Sequence, residues 1–278
     1  MIAQLVINMK SGRARTHADA TREALRAAGI DFVETAWPSD VVADADCIVC
    51  AGGDGTLLGA IDAAITRNLP LGIVPLGTFN DLARSLGISL DVRGAVQTIA
   101  ARHERAIDAA RVNGRYYVNE ASIGVSSRIT RLQTPELKQT FGFLAVIATA
   151  FEALRYARPI RAEVRFDGRH LRMRTIQLTV ANNRHFGGFI NVEDAAIDDG
   201  YFELYSVDIR NVYEAFAIAH ALLTGRPFNG PGLHALRSQR FEVSTRRPHH
   251  ITADGEPAGT TPALFENIPK ALRVFVPQ

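Results

Sequence analysis

The stretch Asp46-Cys47-Ile48-Val49-Cys50-Ala51-Gly52-Gly53-Asp54-Gly55-Thr56-Leu57-Leu58 decides the fold. Ile48 to Ala51 form a short apolar run of the kind a parallel sheet buries on both faces. Gly52, Gly53 and Gly55 then allow a sharp turn and close approach to the backbone. Leu57, Leu58, Ala60, Ile61, Ala64 and Ile65 follow at helical spacing. A strand, a glycine turn and a helix aim backbone N–H groups and a helix N-terminus at an anion, usually a phosphate. Asp54, inside the turn, suits a magnesium ion or the water around one. A purely structural turn in an α/β protein has the same appearance, so the stretch needs its surroundings to decide between the two.

Those surroundings alternate. Gln4 to Asn8 reads as a first strand, about Thr16 to Ala28 as a helix closed by Gly29, and Ile30 to Thr35 as a second strand. Cys47 to Ala51 is the third strand and Pro70 to Leu76 the fourth. The fourth runs into Gly77-Thr78-Phe79-Asn80-Asp81, a second polar loop at a strand's C-terminal end, where ligands bind in such sheets. Asp81 stands in that ligand position, and capping of the helix that follows is the structural alternative for it. From Arg111 the texture changes to hairpins: Asn113-Gly114 and Asp167-Gly168 sit at predicted turns, and strands are expected near 201–207, 241–244, 251–253 and 272–276. Helices are expected over 137–155, after Thr134-Pro135, and over 211–223. The expectation is an α/β protein of two closely packed domains. Residues 1–110 would form a parallel α/β domain and residues 111–264 a mostly antiparallel β-rich domain, with 265–278 packing back near the first.

Composition narrows the class. A net charge of +2 does not point to nucleic acid. The cations are mostly arginine, which reflects either genome composition or a face directed at an anionic membrane. The two cysteines, Cys47 and Cys50, have CxxC spacing but fall inside a predicted buried strand, so they read as small core residues in a reducing cytosol. The N-terminus enters a strand at once, and the longest uncharged apolar stretch, Phe141 to Phe151, is too short to span a bilayer. Membrane contact is therefore expected to be peripheral.

Several sites are excluded by pattern. No Gly-Lys pair exists, so there is no Walker A loop. Glycines 53, 55 and 59 are spaced GxGxxxG, not as the dinucleotide fingerprint, and no acid ends the next strand to hold a ribose. No HExxH or zinc spacing occurs among the eight histidines, and Ser126 is in no GxSxG elbow. What remains is a set of loop acids (Asp54, Asp81, Asp108, Asp198, Asp199, Asp254 and Glu256) beside two glycine loops. That set fits metal-assisted phosphoryl transfer, which needs phosphate stabilisation and one base for the accepting hydroxyl.

Five motifs occur in order: Asn8-x-Lys10-Ser11-Gly12; Gly52-Gly53-Asp54-Gly55-Thr56; Pro75-Leu76-Gly77-Thr78-x-Asn80-Asp81-x-Ala83; Asp198-Asp199-Gly200; and Asp254-Gly255-Glu256. Together with the closing Pro269 to Pro277 they resemble the diacylglycerol kinase catalytic-domain family, in particular small bacterial lipid kinases of the diacylglycerol or sphingosine type. GGDGT alone is shared with NAD kinases and, loosely, phosphofructokinases; followed by PLGTxND and a late DGE it is more specific.

The resemblance implies an NAD kinase-like N-terminal domain, ATP as phosphate donor and Mg2+ as cofactor. It implies that Gly52, Gly53, Asp54, Gly55, Thr56, Leu57 and Leu58 cradle the phosphates, with Asn8, Lys10, Ser11, Gly12, Thr35, Gly77, Thr78 and Asn80 also at the nucleotide. Asp54, Asp81 and Asp108 would form a water-linked magnesium site, and Glu256 would be the general base. Asp199 with the carbonyls of Ala196 and Tyr201 would hold a structural magnesium ion; a plain Asp-Asp-Gly turn is the alternative there. The implied partner is a lipid at the inner face of the membrane, in a cytoplasmic protein for which a homodimer is also compatible. Met9, Asn182-Asn183 and Glu193 depart from the family pattern, the latter two on the acceptor side. An NAD kinase-like enzyme and a non-catalytic nucleotide-binding or membrane-docking module are the competing readings.

Overall fold

The computed structural model describes residues 1–9, 12–35, 42, 44–125, 157–182, 185–186, 190–191, 197–208 and 233–278. The expected helices over 137–155 and 211–223, and Lys10, Ser11, Asn183, Glu193 and Ala196, lie outside the described residues.

The first part alternates as its hydrophobic pattern requires. β1 (Ile2–Ile7) leads to α1 (Gly12–Ala27), β2 (Asp31–Thr35), β3 (Cys47–Gly52), α2 (Asp54–Arg67), β4 (Leu71–Pro75), α3 (Asp81–Ser85) and α4 (Val92–Ala101). β1 pairs in parallel with β2 and β3, and β3 with β4. Every residue of β3 and β4 is buried, as befits central strands covered on both faces. Gly29, at φ 69°, closes α1 in the left-handed region. Cys47 and Cys50 are buried free thiols in the core; burial pushes both up to about 12, which disfavours the thiolate.

The second part is antiparallel. It comprises β5 (Glu104–Val112), β6 (Arg115–Tyr117), β7 (Glu120–Gly124), β8 (Ile160–Phe166), β9 (Arg169–Thr175), β10 (Gln177–Ala181), β11 (His185–Phe186), β12 (Ile190–Asn191), β13 (Phe202–Val207), β14 (Leu233–Ser238), β15 (Arg240–Thr245), β16 (His250–Ala253), β17 (Glu256–Thr260) and β18 (Ala263–Phe275). Three tight turns share one backbone signature, positive φ at both central residues: Asn113-Gly114 (49° and 86°), Asp167-Gly168 (45° and 72°) and Asp254-Gly255 (45° and 82°). The sequence announces all three as Asn-Gly or Asp-Gly. The third makes Glu256 the first residue of a hairpin's return strand.

Among the described residues the parallel strands do not form a closed sheet of their own. A ten-stranded sheet runs β2-β1-β3-β4-β18-β15-β8-β9, with β5 on β18 and β6 on β5. A six-stranded antiparallel sheet runs β14-β13-β10-β7-β16-β17. The 13-residue β18 is the joint: Val274 pairs with Leu71 of β4, while Ala263 to Glu266 pair with β15. Its two ends lie in different cores. Leu272, Val274 and Phe275 belong to the α/β core, whereas Ala263 and Phe265 belong to a second core between the sheets with Phe166, Phe202 and Phe241. The fold is the expected two-part α/β and antiparallel β arrangement, with one sheet continuous through both.

Candidate active site

The two glycine loops are built against each other. A Cβ added to Gly53 would stand 2.9 Å from the Gly77 Cα, and one added to Gly77 would stand 2.5 Å from the Gly53 Cα. Only glycine at both positions permits this approach. Leu76 N–H donates to the Gly52 carbonyl (2.8 Å), and the Asn80 side chain closes its own loop by accepting from Gly77 N–H (2.8 Å) and donating to Gly77 C=O (3.0 Å).

Asp54 then reaches across. Its Oδ2 accepts from Asn80 N–H (3.0 Å) and its Oδ1 from Asp81 N–H (3.1 Å). The structural alternative for Asp81, capping the helix after it, does not hold: Asp81 is the first residue of α3, Asn80 is its N-cap, and the Asp54 carboxylate accepts the N–H groups of both. Burial raises the Asp54 carboxyl, and the two N–H donors oppose that rise. At the first loop, Thr56 and Leu57 N–H already bond the Gly53 carbonyl, and the Thr56, Leu57 and Leu58 side chains are buried. An anion at α2 would thus be met around Gly53 to Gly55, where Gly55 is exposed. Asn8 Nδ2 donates to Thr56 Oγ1 (2.8 Å), tying the end of β1 to this turn. Thr35 is held by Gln4 Nε2 (2.9 Å), Thr78 is exposed, and Gly12 opens α1.

The β16–β17 hairpin faces these loops. Glu256 is exposed, and its Oε1 lies 3.5 Å from where a Gly55 Cβ would stand. Asp254 holds the hairpin in place: Oδ2 accepts from Val118 N–H (2.8 Å) and Oδ1 from Asn119 and Glu120 N–H (both 2.9 Å). Its own N–H returns to the Glu120 carbonyl (2.8 Å). The residue is half-buried but its carboxylate is enclosed. Loss of water raises it to about 6, against the pull of the three donors, with the Asp54 charge adding to the rise.

Glu120 is the residue that motif reading missed. Half-buried at the start of β7, it is raised to about 8 by desolvation and by the charges of Asp254 and Asp81. It has no glycine or second acid beside it in sequence, so only the fold reveals it. Glu120 thus feels the charges of Asp254 and Asp81, and Asp254 that of Asp54, which places four acids from separate segments around one cleft.

Asp108 is placed differently. Only 1 % exposed, it accepts from Gly200 N–H (2.6 Å) and Lys270 N–H (2.8 Å), fastening β5 to the Asp-Asp-Gly turn and to the irregularity in β18. Asn182 and Asn267 extend this tie: Asn182 Nδ2 donates to the carbonyls of Asp108 and Val118, and Asn267 Nδ2 to Asn182 Oδ1 and the Tyr201 carbonyl. Asp199 accepts from Tyr201 N–H (2.9 Å) and from Arg237 (2.6 Å), while Asp198 pairs with Arg105 (2.6 Å).

Two family models divide the chain at this cleft. Residues 3–112 match the diacylglycerol kinase catalytic domain, and residues 119–276 match the YegS C-terminal NAD kinase beta sandwich-like domain. The chain belongs to the diacylglycerol kinase family. A diacylglycerol kinase of Bacillus subtilis is 31% identical over 84% of this chain and 78% of its own length. One of Staphylococcus aureus is 27% identical over 99% of this chain and 92% of its own. Among solved structures, a diacylglycerol kinase from Bacillus anthracis superposes with a TM-score of 0.80 at 21% identity, covering 99% of this chain and 96% of that one. An NAD kinase from Archaeoglobus fulgidus, solved in complex with ATP, gives 0.55 at 16%, covering 99% and 93%. These structural likenesses concern the fold; in this chain the Gly53–Gly77 contact and the Asp254–Glu256 hairpin face each other across the cleft.

Residues present in the cleft suit a magnesium ion held through water. Burial raises Asp54, Glu120 and Asp254, and neighbouring acid charges add to the rise at Glu120 and Asp254, so a cation in the cleft would favour their ionised forms. No group of three or more His, Cys, Asp or Glu among the described residues forms a direct cage. Magnesium keeps most of its waters and binds through one or two carboxylates plus phosphate oxygens, which this arrangement permits. The Asp199 turn fits less readily, because Arg237 already supplies the positive charge there.

Proposed function

We propose that the protein is an ATP-dependent lipid kinase that transfers the γ-phosphoryl group to a lipid hydroxyl, diacylglycerol or a related lipid. The observation that carries this reading is the Glu256 carboxylate lying against Gly55, at the N-terminus of α2. A base on one side and a phosphate-receiving turn on the other are what phosphoryl transfer requires.

Gly53 to Gly55 receive the phosphates, with the α2 N-terminus favouring their charge. Asp54 fixes the Gly77–Asp81 loop, so both glycine loops present one surface. Glu256 accepts the proton of the acceptor hydroxyl, and Asp254 holds Glu256 in place from behind. Magnesium, when bound near Asp54 and Asp81, would neutralise phosphate oxygens. Asp108 acts as a tie that keeps β5, β18 and the Asp198–Gly200 turn in register. A second ion at Asp199 would have to displace Arg237, and this mechanism does not need one.

The test is transfer from labelled ATP to a panel holding diacylglycerol, an amino alcohol lipid, phosphatidylglycerol, a polyprenol and NAD. The reading expects label in a lipid that depends on magnesium. Labelled NAD with unlabelled lipids would replace it with the NAD kinase-like alternative, and ATP binding without transfer to any acceptor would favour a binding module.

A further inference from the structure

The family resemblance implies a structural magnesium ion at the turn before β13, held by Asp199 and the carbonyls of Ala196 and Tyr201. Ala196 lies outside the described residues, and the other two ligands are already engaged. Asp199 Oδ1 accepts from Tyr201 N–H (2.9 Å), and Oδ2 accepts from Arg237 Nη2 (2.6 Å). The Tyr201 carbonyl accepts from Asn267 Nδ2 (3.2 Å). Arg237 comes from β14, and strand register sets it directly opposite Glu203. Its Nε stands 3.7 Å from Glu203 Oε1, and its guanidinium carbon stands 4.7 Å from the centre of the Tyr201 ring. One side chain thus meets two carboxylates and an aromatic face, a combination that suits a planar guanidinium. The two acids need a cation. Desolvation raises Glu203 to about 7, the Asp199 charge adds to the rise, and the Arg237 charge opposes it. Asp198 takes no part, because it pairs with Arg105.

We propose that Arg237 is the resident cation of this turn, standing in for a divalent ion, so that the turn holds its shape without metal. A magnesium ion takes oxygen ligands at about 2.0–2.1 Å in an octahedral arrangement. Asp199 Oδ2 cannot meet such an ion and the guanidinium together without bringing the two cations into contact, where they repel. An ion at Asp199 would therefore have to expel Arg237, and with it the contacts to Glu203 and to the Tyr201 ring. What Arg237 secures extends inward. Gly200 N–H, between Asp199 and Tyr201, donates to Asp108 (2.6 Å), and Asn267, which holds the Tyr201 carbonyl, also donates to Asn182 (3.0 Å). Arg237 grips from the solvent side the turn that Asp108 and Asn267 grip from the interior. The inference does not depend on the lipid-kinase reading, because its test involves no catalysis.

The experiment is equilibrium dialysis of the full-length, nucleotide-free protein against manganese(II), an octahedral oxygen-seeking probe for a magnesium site. It is paired with thermal melting in EDTA and in excess magnesium. Wild type and D199N are expected to hold the same number of manganese ions, since any ion in the cleft is common to both. R237A should hold one more per chain, and R237A/D199N should lose it. R237M, which keeps an apolar stem over Tyr201 without the charge, should match R237A. In EDTA, R237A should melt about 2–4 °C below wild type, the shift expected from losing one ordinary interaction in a chain of this size. Magnesium should recover that difference in R237A and not in R237A/D199N. An ion in wild type that D199N removes would show that metal, and not Arg237, occupies the turn. Uptake by R237A and R237M no greater than wild type, or melting of both with wild type in EDTA, would equally overturn the inference.

Discussion

Asp54 accepts the backbone N–H of Asp81 at 3.1 Å, so a carboxylate of one glycine loop holds the first residue of the helix after the other. Neither loop is complete alone. Replacing Asp54 with Ala removes two hydrogen bonds to a helix N-terminus, which should cost about 0.5–2 kcal/mol of stability. Freeing the Gly77–Asp81 loop should lower phosphoryl transfer by at least about a hundredfold, the scale of loss that a small misplacement causes. Thermal melting and steady-state kinetics on one preparation check both.

Asp254 makes a different prediction. Its carboxylate gathers three N–H groups and fixes the turn before Glu256. Asp254→Ala should destabilise the protein by about 2–4 kcal/mol, since three donors are left facing an enclosed space. Asp254→Asn, which keeps an acceptor oxygen, should be milder. In both, kcat should fall more than KM for ATP rises, because the nucleotide loops are on the other side of the cleft. A KM effect alone would place Asp254 on the nucleotide instead.

Stability should depend on pH in an uncommon direction. Asp254, Glu203 and Glu120 are raised to about 6, about 7 and about 8. For Glu203 the cause is desolvation, then the charge of Asp199. Each holds its proton more tightly folded than unfolded, so the stability it contributes is full below the ordinary carboxyl range and is lost as pH rises through these values. In metal-free buffer the melting temperature should therefore fall between about pH 5 and pH 9. Glu120→Gln should flatten the upper part of that fall. A melting curve unchanged by this substitution would mean that Glu120 is ionised throughout.

Asp108 should behave as a structural tie. Asp108→Ala unfastens Gly200 and Lys270 together, and a cost of about 2–4 kcal/mol is expected from loss of two buried charge-assisted bonds. If the variant instead melts like wild type and needs more magnesium for activity, its role is that of a metal-handling acid.

Much of this was legible in the sequence, for identifiable reasons. The all-apolar β3, the Asn-Gly and Asp-Gly turns and the glycine loops are local signals, each set by backbone conformation or burial within a few residues. The joining role of β18 was not legible: 272–276 reads as a closing strand, but pairing with β4 at one end and β15 at the other is decided by partners far away in sequence. The same holds for the site. Glu256 and Asp54 stand in short motifs, whereas Glu120 is a lone acid whose company is assembled only by folding. Capping by Asp81, the structural alternative to a ligand role there, fails because Asp81 is already the first helical residue and a carboxylate twenty-seven residues earlier holds its N–H.

The central claim is that Glu256 takes the proton of a lipid hydroxyl opposite the phosphate loop. The most direct measurement is single-turnover transfer from γ-labelled ATP to diacylglycerol in mixed micelles, comparing wild type with Glu256→Gln. The account predicts labelled lipid with wild type, and a loss of about 10²–10⁴-fold in the variant. Because Glu256 is exposed, the variant's stability should stay within about 0.5 kcal/mol and its ATP binding should be retained. Transfer by the variant at the wild-type rate would contradict it.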